Sequence, residues 1–339
     1  MSKLRDTAEY YHVVLERIPP RSAPVFEDEE EQKRVWGRRF GVYNDVGTLK
    51  MVMLHRPGDE VLRMTKDKYD PTIDALVDDQ EQWYFRSDEA PDLATMQKEH
   101  DGLAKVLKDN GVEVVYCDGS PRDPKAMFTR DCGVAVKGGL VICRMGPRGD
   151  DPGTGRRGEE AFVMKKAVEV GMPILRTIHA DGLFEGGSFC WLNESNAIVG
   201  TSYRQNHTAV EQLRDVLKYQ GVTLHVMPLT GYSLHIDGVI VMIDHDKAII
   251  SVSRMAYWVL DLLKELGIQP IMADPRDKGK SVNCLAISPG KIIMCDDSVY
   301  TIEKLTKMGI EVIGVPYTEI AKNGGGIHCS TMPMIRERD

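Results

Sequence analysis

The 339-residue chain has no apolar run approaching the roughly 18 residues that a membrane-crossing helix needs, so no membrane association is expected. Its start, MSKLRDTAEYYHVV, lacks the basic-then-apolar layout of a signal peptide, and the expected compartment is the cytoplasm. There is no CxxC pair. The seven cysteines, at 117, 132, 143, 190, 284, 295 and 329, are odd in number and scattered through apolar stretches, which argues against a disulfide framework and against a zinc site. Neither a metal nor a cofactor is expected. No window interleaves basic residues with aromatics, and 43 Lys+Arg stand against 51 Asp+Glu for a formal charge of −8, so nucleic acid is not an expected partner. What is present is a globular composition, 42% hydrophobic and 28% charged, which excludes a disordered chain.

Within that composition one unit recurs five times: an amphipathic stretch, a glycine, then a short apolar strand. The copies read KVLKDNG-VEVVY at Gly111, KKAVEVG-MPILR at Gly171, DVLKYQG-VTLHV at Gly221, DLLKELG-IQPIM at Gly267 and EKLTKMG-IEVIG at Gly309. Each glycine suits the left-handed position that closes a helix. A second apolar strand precedes each helix, at MVMLH (51), LVICR (140), AIVGT (197), AIISV (248) and KIIMC (291). Such a unit cannot bury both faces alone. Five of them predict an α/β fold: a five-bladed, pseudo-symmetric α/β propeller of strand-helix-strand repeats, with an open βαβ sheet as the alternative. Residues 1–45 lie outside the repeat as a solvated extension, 46–339 form one catalytic domain, and 59–97 is an insertion in the first unit, either a lid or a plain surface excursion. The Gly/Pro-rich segment 144–160 follows no nucleotide-binding template, so no anion cradle is expected there.

In a ring, equivalent segments of each unit converge on one rim. The segments after the five Gly-strands are FTRDC (128–132), FEGGS (184–188), HIDG (235–238), VNCLA (282–286) and GGGIHCS (324–330). Cys329 sits just past three glycines, where the backbone can turn and leave a thiol exposed, and is the expected nucleophile. His235, two residues from Asp237 in LHIDG, places an imidazole and a carboxylate on one side of an extended strand, with His328 as its competitor for acid/base duty. Asp131, Glu185 and Asp237 complete the set. Three acids near a thiol raise its pKa, and a cationic substrate resolves that conflict: a guanidinium is planar, permanently charged and fits carboxylates in bidentate fashion. Two acids would grip it and the third would orient His235.

These residues resemble the guanidine-modifying superfamily of arginine deiminases, dimethylarginine dimethylaminohydrolases and amidinotransferases. The resemblance runs through HRPG (55–58), QKEHD (97–101), FTRD (128–131), FEGG (184–187), HID (235–237), NCLAISPGK (283–291) and GGGIHCSTMPMIR (324–336), in that order. QKEHD and HCSTMP are most similar to arginine deiminase. The resemblance implies Cys329 as nucleophile, His235 as general acid/base, Glu185 as its partner and Asp131 with Asp237 as the guanidinium grip. It also implies substrate contacts from Phe128, Arg130 and Arg204, the last toward a substrate carboxylate. The implied activity is hydrolysis at the guanidinium carbon with ammonia release through a covalent thiouronium, the alternatives being amidino transfer to an amine or a dimethylaminohydrolase-like reaction. A small guanidino molecule is the partner implied, and the oligomeric state is left open between a monomer and a homodimer. Three departures bear on the substrate tail: Lys125 where the family carries Asn, Gly324 where it carries Arg, and Ser188 where it carries an acid.

Overall fold

The structure, a computed structural model, describes residues 3–119, 121–146, 156–231, 233–277 and 280–338. Most of the Gly/Pro-rich segment 144–160, residues 147–155, falls outside the described residues. The chain divides into two compact units, Met1–Arg39 and Phe40–Asp339. In the first, helix Glu9–Arg17 buries no residue, and helix Glu29–Trp36 is capped by Asp28, which accepts from the Glu31 N–H at 2.9 Å. The extension thus ends at 39 rather than 45. Phe40, Val42, Tyr43 and Val46 are buried in the second unit, where Gly41 N–H donates to Met334 O at 2.9 Å.

The second unit is mixed α/β, built from small three-stranded sheets. In five of them two parallel strands flank a helix, as the repeat predicts. Strand Leu49–Leu54 pairs with Glu113–Tyr116, and Gly139–Ile142 with Ile174–Thr177. Asn196–Thr201 pairs with Thr223–Pro228, Lys247–Ile250 with Gln269–Met272, and Lys291–Cys295 with Glu311–Val315. The connecting helices are Leu93–Asp109, Glu159–Glu169, His207–Tyr219, Tyr257–Glu265 and Val299–Lys307. After each helix the repeat glycine has positive φ: +78° at Gly111, +86° at Gly171, +69° at Gly221, +71° at Gly267 and +85° at Gly309. A side chain there would strain the left-handed backbone, which explains the recurring residue.

A third, antiparallel strand in each sheet went unseen in the sequence: Gly133–Val136, Phe189–Asn193, Ile240–Asp244, Leu285–Ser288 and Met332–Arg336. These are short apolar runs, mostly buried, so no alternation marks them. The last of them joins the first sheet, with Met53 opposite Met332. Arg336, 1% exposed, holds that pairing by donating to Gly47 O and Ala286 O, each at 2.7 Å. Each third strand begins at the end of one of the five polar segments or within two residues after it, so the sheets hold those segments at their ends.

The insertion between the first strand and its helix builds a further sheet of Tyr69–Asp70, Ala75–Asp78 and Trp83–Phe85. It ends before Leu93, because 93–97 already belong to the repeat helix, whose N-cap Asp92 accepts from Thr95 N–H.

Candidate active site

The QKEHD and HRPG motifs brace each other and lie outside the reactive centre. Arg56 pairs with Asp101 through two hydrogen bonds at 2.7 and 2.8 Å, and Gln97 donates to Pro57 O at 2.8 Å. Glu99 accepts the Glu319 and Ile320 N–H groups at the start of helix Thr318–Lys322, both at 2.9 Å. That helix leads into the glycines before Cys329, so QKEHD anchors the loop that carries the thiol.

A cavity of about 700 Å³ opens on Cys329, His235, Asp237, Asp131, Phe128 and Arg204. Six of the eight residues expected in the site therefore face one space. Tyr84, Lys125, Arg156, Lys280 and Asn283 line it as well. Glu185, 1% exposed, lies behind His235, with its Oε2 2.6 Å from Nε2. Arg130 is turned away from the cavity and supports the cysteine loop: its Nε points toward His328 O at 3.5 Å and its N–H donates to Cys329 O at 3.1 Å. It does not face substrate, contrary to expectation.

The thiol is not exposed as its glycine-rich setting suggested. Cys329 is 7% exposed and forms part of the cavity floor, because the turn around it packs against the neighbouring segments. Its Sγ–H donates to Asp237 Oδ2 at 3.1 Å, while Asn283 Nδ2 donates to Sγ at 3.1 Å and Asn283 Oδ1 accepts the Cys329 N–H at 3.3 Å. Burial, then the charges of Asp237 and Asp131, push the thiol pKa well up. Asn283, in the VNCLA segment, is not legible from the sequence because its neutral amide carries no charge to mark it among apolar neighbours.

The segment LHIDG is not a strand. His235 is extended, but Ile236–Gly238 form one helical turn, which turns the imidazole and Asp237 toward different partners. His235 meets Glu185 at Nε2 and lies 3.5 Å from Asp131 Oδ1 at Nδ1. Burial lowers its pKa, but the charge of Asp131 and the hydrogen bond and charge of Glu185 outweigh that and hold it above the ordinary value. Asp237 instead accepts from His328 Nδ1 at 3.0 Å, and His328 reaches the same carboxylate as its neighbour Cys329 because both sit in a turn rather than a strand. Burial and then Arg130 press the His328 pKa down. Burial opposes ionisation of Asp237, yet the hydrogen bond and charge of His328 keep its carboxyl far below the usual range.

Gly187 makes the approach of these segments feasible. A Cβ there would lie 2.6 Å from Asp131 Oδ1 and 2.8 Å from His235 Nδ1, so no side chain fits between them. Its N–H donates to Asp131 Oδ1 at 3.1 Å. Arg204 lines the cavity, but its Nη1 is 3.0 Å from Glu185 Oε2. Its charge, ahead of the His235 hydrogen bond, overcomes burial to hold the Glu185 carboxyl well below its usual value. That engagement draws Arg204 toward the buried acid rather than outward to a substrate tail.

The three departures have a local explanation. Tyr84, from the insertion, stands over Gly324, where a Cβ would run into its hydroxyl. Lys125 places Nζ 3.9 Å from the Tyr84 ring centre and donates to Asn323 O at 2.7 Å. The insertion and the departures at 125 and 324 are thus one rearrangement of the cavity wall. Ser188 is buried, with Oγ donating to Leu234 O at 3.3 Å.

Asp131, Glu185 and His235 present ligand atoms within 4.8 Å of one another, the spacing of a metal site. Arg156 and Arg204 already pair with the two carboxylates, so a divalent ion would have to displace two buried guanidiniums. The donor set fits an ion poorly.

Residues 72–336 match the family described as N,N dimethylarginine dimethylhydrolase, eukaryotic. The chain belongs to that family. The dimethylhydrolase match takes in every cavity residue named above and, more broadly, places the chain in the guanidine-modifying superfamily. Arginine deiminase of Mycoplasma capricolum is 23% identical, the match covering 88% of this chain and 98% of the deiminase. A 2-nitroimidazole nitrohydrolase of a Mycobacterium species is 28% identical over 89% of this chain and 83% of its own. Among solved structures, a Pseudomonas aeruginosa dimethylarginine dimethylaminohydrolase variant in complex with citrulline superposes with a TM-score of 0.67 at 19% identity, covering 85% of this chain and all of that one, a likeness of fold. No helix among the described residues is long and apolar enough to cross a membrane.

Proposed function

We propose that this chain is a cysteine-dependent hydrolase acting on the guanidino carbon of arginine or a related compound, releasing ammonia through a thiouronium held on Cys329. The observation that carries the reading is that Cys329, His235, Asp237 and Asp131, from three different segments, open on one cavity, with Glu185 set behind His235. Cys329 is the nucleophile. Glu185 fixes the ring of His235 at Nε2, leaving Nδ1 to protonate the departing nitrogen and then to deprotonate water. Asp237, beside the sulfur, relays the thiol proton to the substrate and accepts its N–H groups. Phe128 supplies an apolar wall. The five similar sheets, with the last strand paired to the first, support a closed five-bladed propeller in Phe40–Asp339.

The family description favours a second reading, in which a dimethylated guanidino group loses dimethylamine instead of ammonia. One product assay separates the readings. The protein is incubated with arginine, dimethylarginine and simpler guanidines, and ammonia, dimethylamine and the ureido product are measured. Ammonia release without an added amine supports the deiminase-like reaction, dimethylamine release supports the second reading, and turnover only on adding an acceptor amine contradicts both in favour of a transferase. A cytoplasmic location is part of this proposal, supported by the seven unpaired, buried cysteines.

A further inference from the structure

Within the hydrolase reading above, on which this depends, we infer that the substrate's guanidino group is uncharged at neutral pH, its carbon carrying an electron-withdrawing substituent, rather than a free guanidinium. The reason is Arg156. Its guanidinium, 3% exposed, already occupies Asp131: Nη1 pairs with Asp131 Oδ2. Nε and Nη2 grip Glu159 Oε1 and Oε2, each at 2.7 Å, and Nη2 also donates to Phe128 O at 3.1 Å. This is a seated, bidentate ion pair in the wall of the cavity that holds Cys329. A substrate cation seated on Asp131 would have to expel it and leave Glu159 buried without its cationic partner.

Of the other acids facing the cavity, Asp274 is paired with Arg276 at 2.8 and 2.9 Å, while Asp237 and Asp277 have oxygens taken up by internal hydrogen bonds, from His328 and Cys329 and from Thr301 N–H and Oγ1 at 2.8 and 2.6 Å. Lys280 and Lys304 donate to the backbone carbonyls of Gly324 and Met272, at 2.7 and 2.9 Å, and line the same space. Such a cavity disfavours a cation and suits the electron-rich oxygens of a nitro or acyl substituent.

The chemistry closes without a substrate charge. The Cys329 proton passes by way of Asp237 to the substrate's imino nitrogen as the sulfur pair forms the C–S bond. The pair on a retained nitrogen then forms C=N as the bond to the leaving nitrogen breaks, His235 supplying that nitrogen's proton and a thiouronium remaining on sulfur. Water adds at the same carbon, one proton returning to His235. Passage of the hydroxyl proton to sulfur, again by way of Asp237, forms C=O as C–S breaks and gives the ureido product. One water is consumed, one amine or amide is released, and no oxidant is needed.

Two matched pairs test this on the full-length protein: L-arginine against Nω-nitro-L-arginine, and guanidine against nitroguanidine. Within each pair chiefly the substituent and the charge differ. The inference expects kcat/KM for the nitro member to exceed that of its partner by about 100-fold or more. Arg156→Gln, which releases Asp131, should move the preference toward the cation by about 10-fold. The wild-type ratio decides alone if that variant does not fold. A wild-type preference for the cations overturns the inference and leaves the hydrolase reading standing. No product and no Cys329 adduct from any of the four overturns the hydrolase reading, and the inference with it.

Discussion

The five sheets of the second unit are nearly copies of one another, whereas the five segments that lead into their third strands differ throughout. Each sheet repeats strand, helix, left-handed glycine and strand, and none of the five repeat glycines lines the cavity. The segments supply, in turn, Asp131, Glu185, His235 with Asp237, Asn283, and His328 with Cys329. Repetition therefore carries stability and divergence carries chemistry, and a substitution should read out on one or the other according to where it falls.

The largest separation is expected at Cys329. Cys329→Ala should lower kcat by at least about 1,000-fold, since the covalent step is lost, while moving the melting temperature little. Steady-state rates and a thermal melt on the same sample check this, and a large loss of stability would make the thiol a scaffold residue. Glu185→Gln comes next, with an expected rate loss of about 100-fold. It leaves an amide oxygen to accept from His235 but removes the negative charge that helps raise its pKa. A general acid must be protonated, so activity falls as pH rises through the raised His235 value, and in this variant that alkaline limb should move to lower pH. In the free protein the thiol is protonated at neutral pH, and its alkylation by iodoacetamide should accelerate as pH rises.

The converse substitution is Gly267→Ala. With φ at +71° and nothing within 4 Å of the new Cβ, the change meets backbone strain alone, about 1–2 kcal/mol. The melting temperature should fall by about 2–4 °C with kcat unchanged. A fall in kcat instead would mean that the repeats tune the site as well as support it. Smallest of all is the expected effect of EDTA, none, because Arg156 and Arg204 already compensate the carboxylates of the Asp131–Glu185–His235 cluster. Activity lost to EDTA and restored by a divalent ion would reassign that cluster as a metal site.

The same division explains what could be read from the chain. The repeat was legible because a closing glycine, an amphipathic helix and an apolar strand leave periodic marks. Cys329, His235 and the acids were legible as polar residues interrupting apolar strands. The third strands were not, being short and buried on both faces. Nor were the pairings: Asp237 follows His235 by two residues yet serves His328 and Cys329, because a helical turn replaces the extended geometry that the spacing implied. Arg156 was hidden for a related reason. It lies far in sequence from FTRD, beside the Gly/Pro-rich segment, and only folding brings it to Asp131.

The central claim, covalent catalysis by Cys329 at a guanidino carbon, is tested most directly by quenching the protein during turnover and mapping the adduct by mass spectrometry. The account predicts a single amidino-type addition on the peptide carrying Cys329, formed and cleared at rates consistent with product release. Sustained hydrolysis of a guanidino substrate with Cys329 unmodified throughout, or with undiminished turnover by Cys329→Ala, would contradict it.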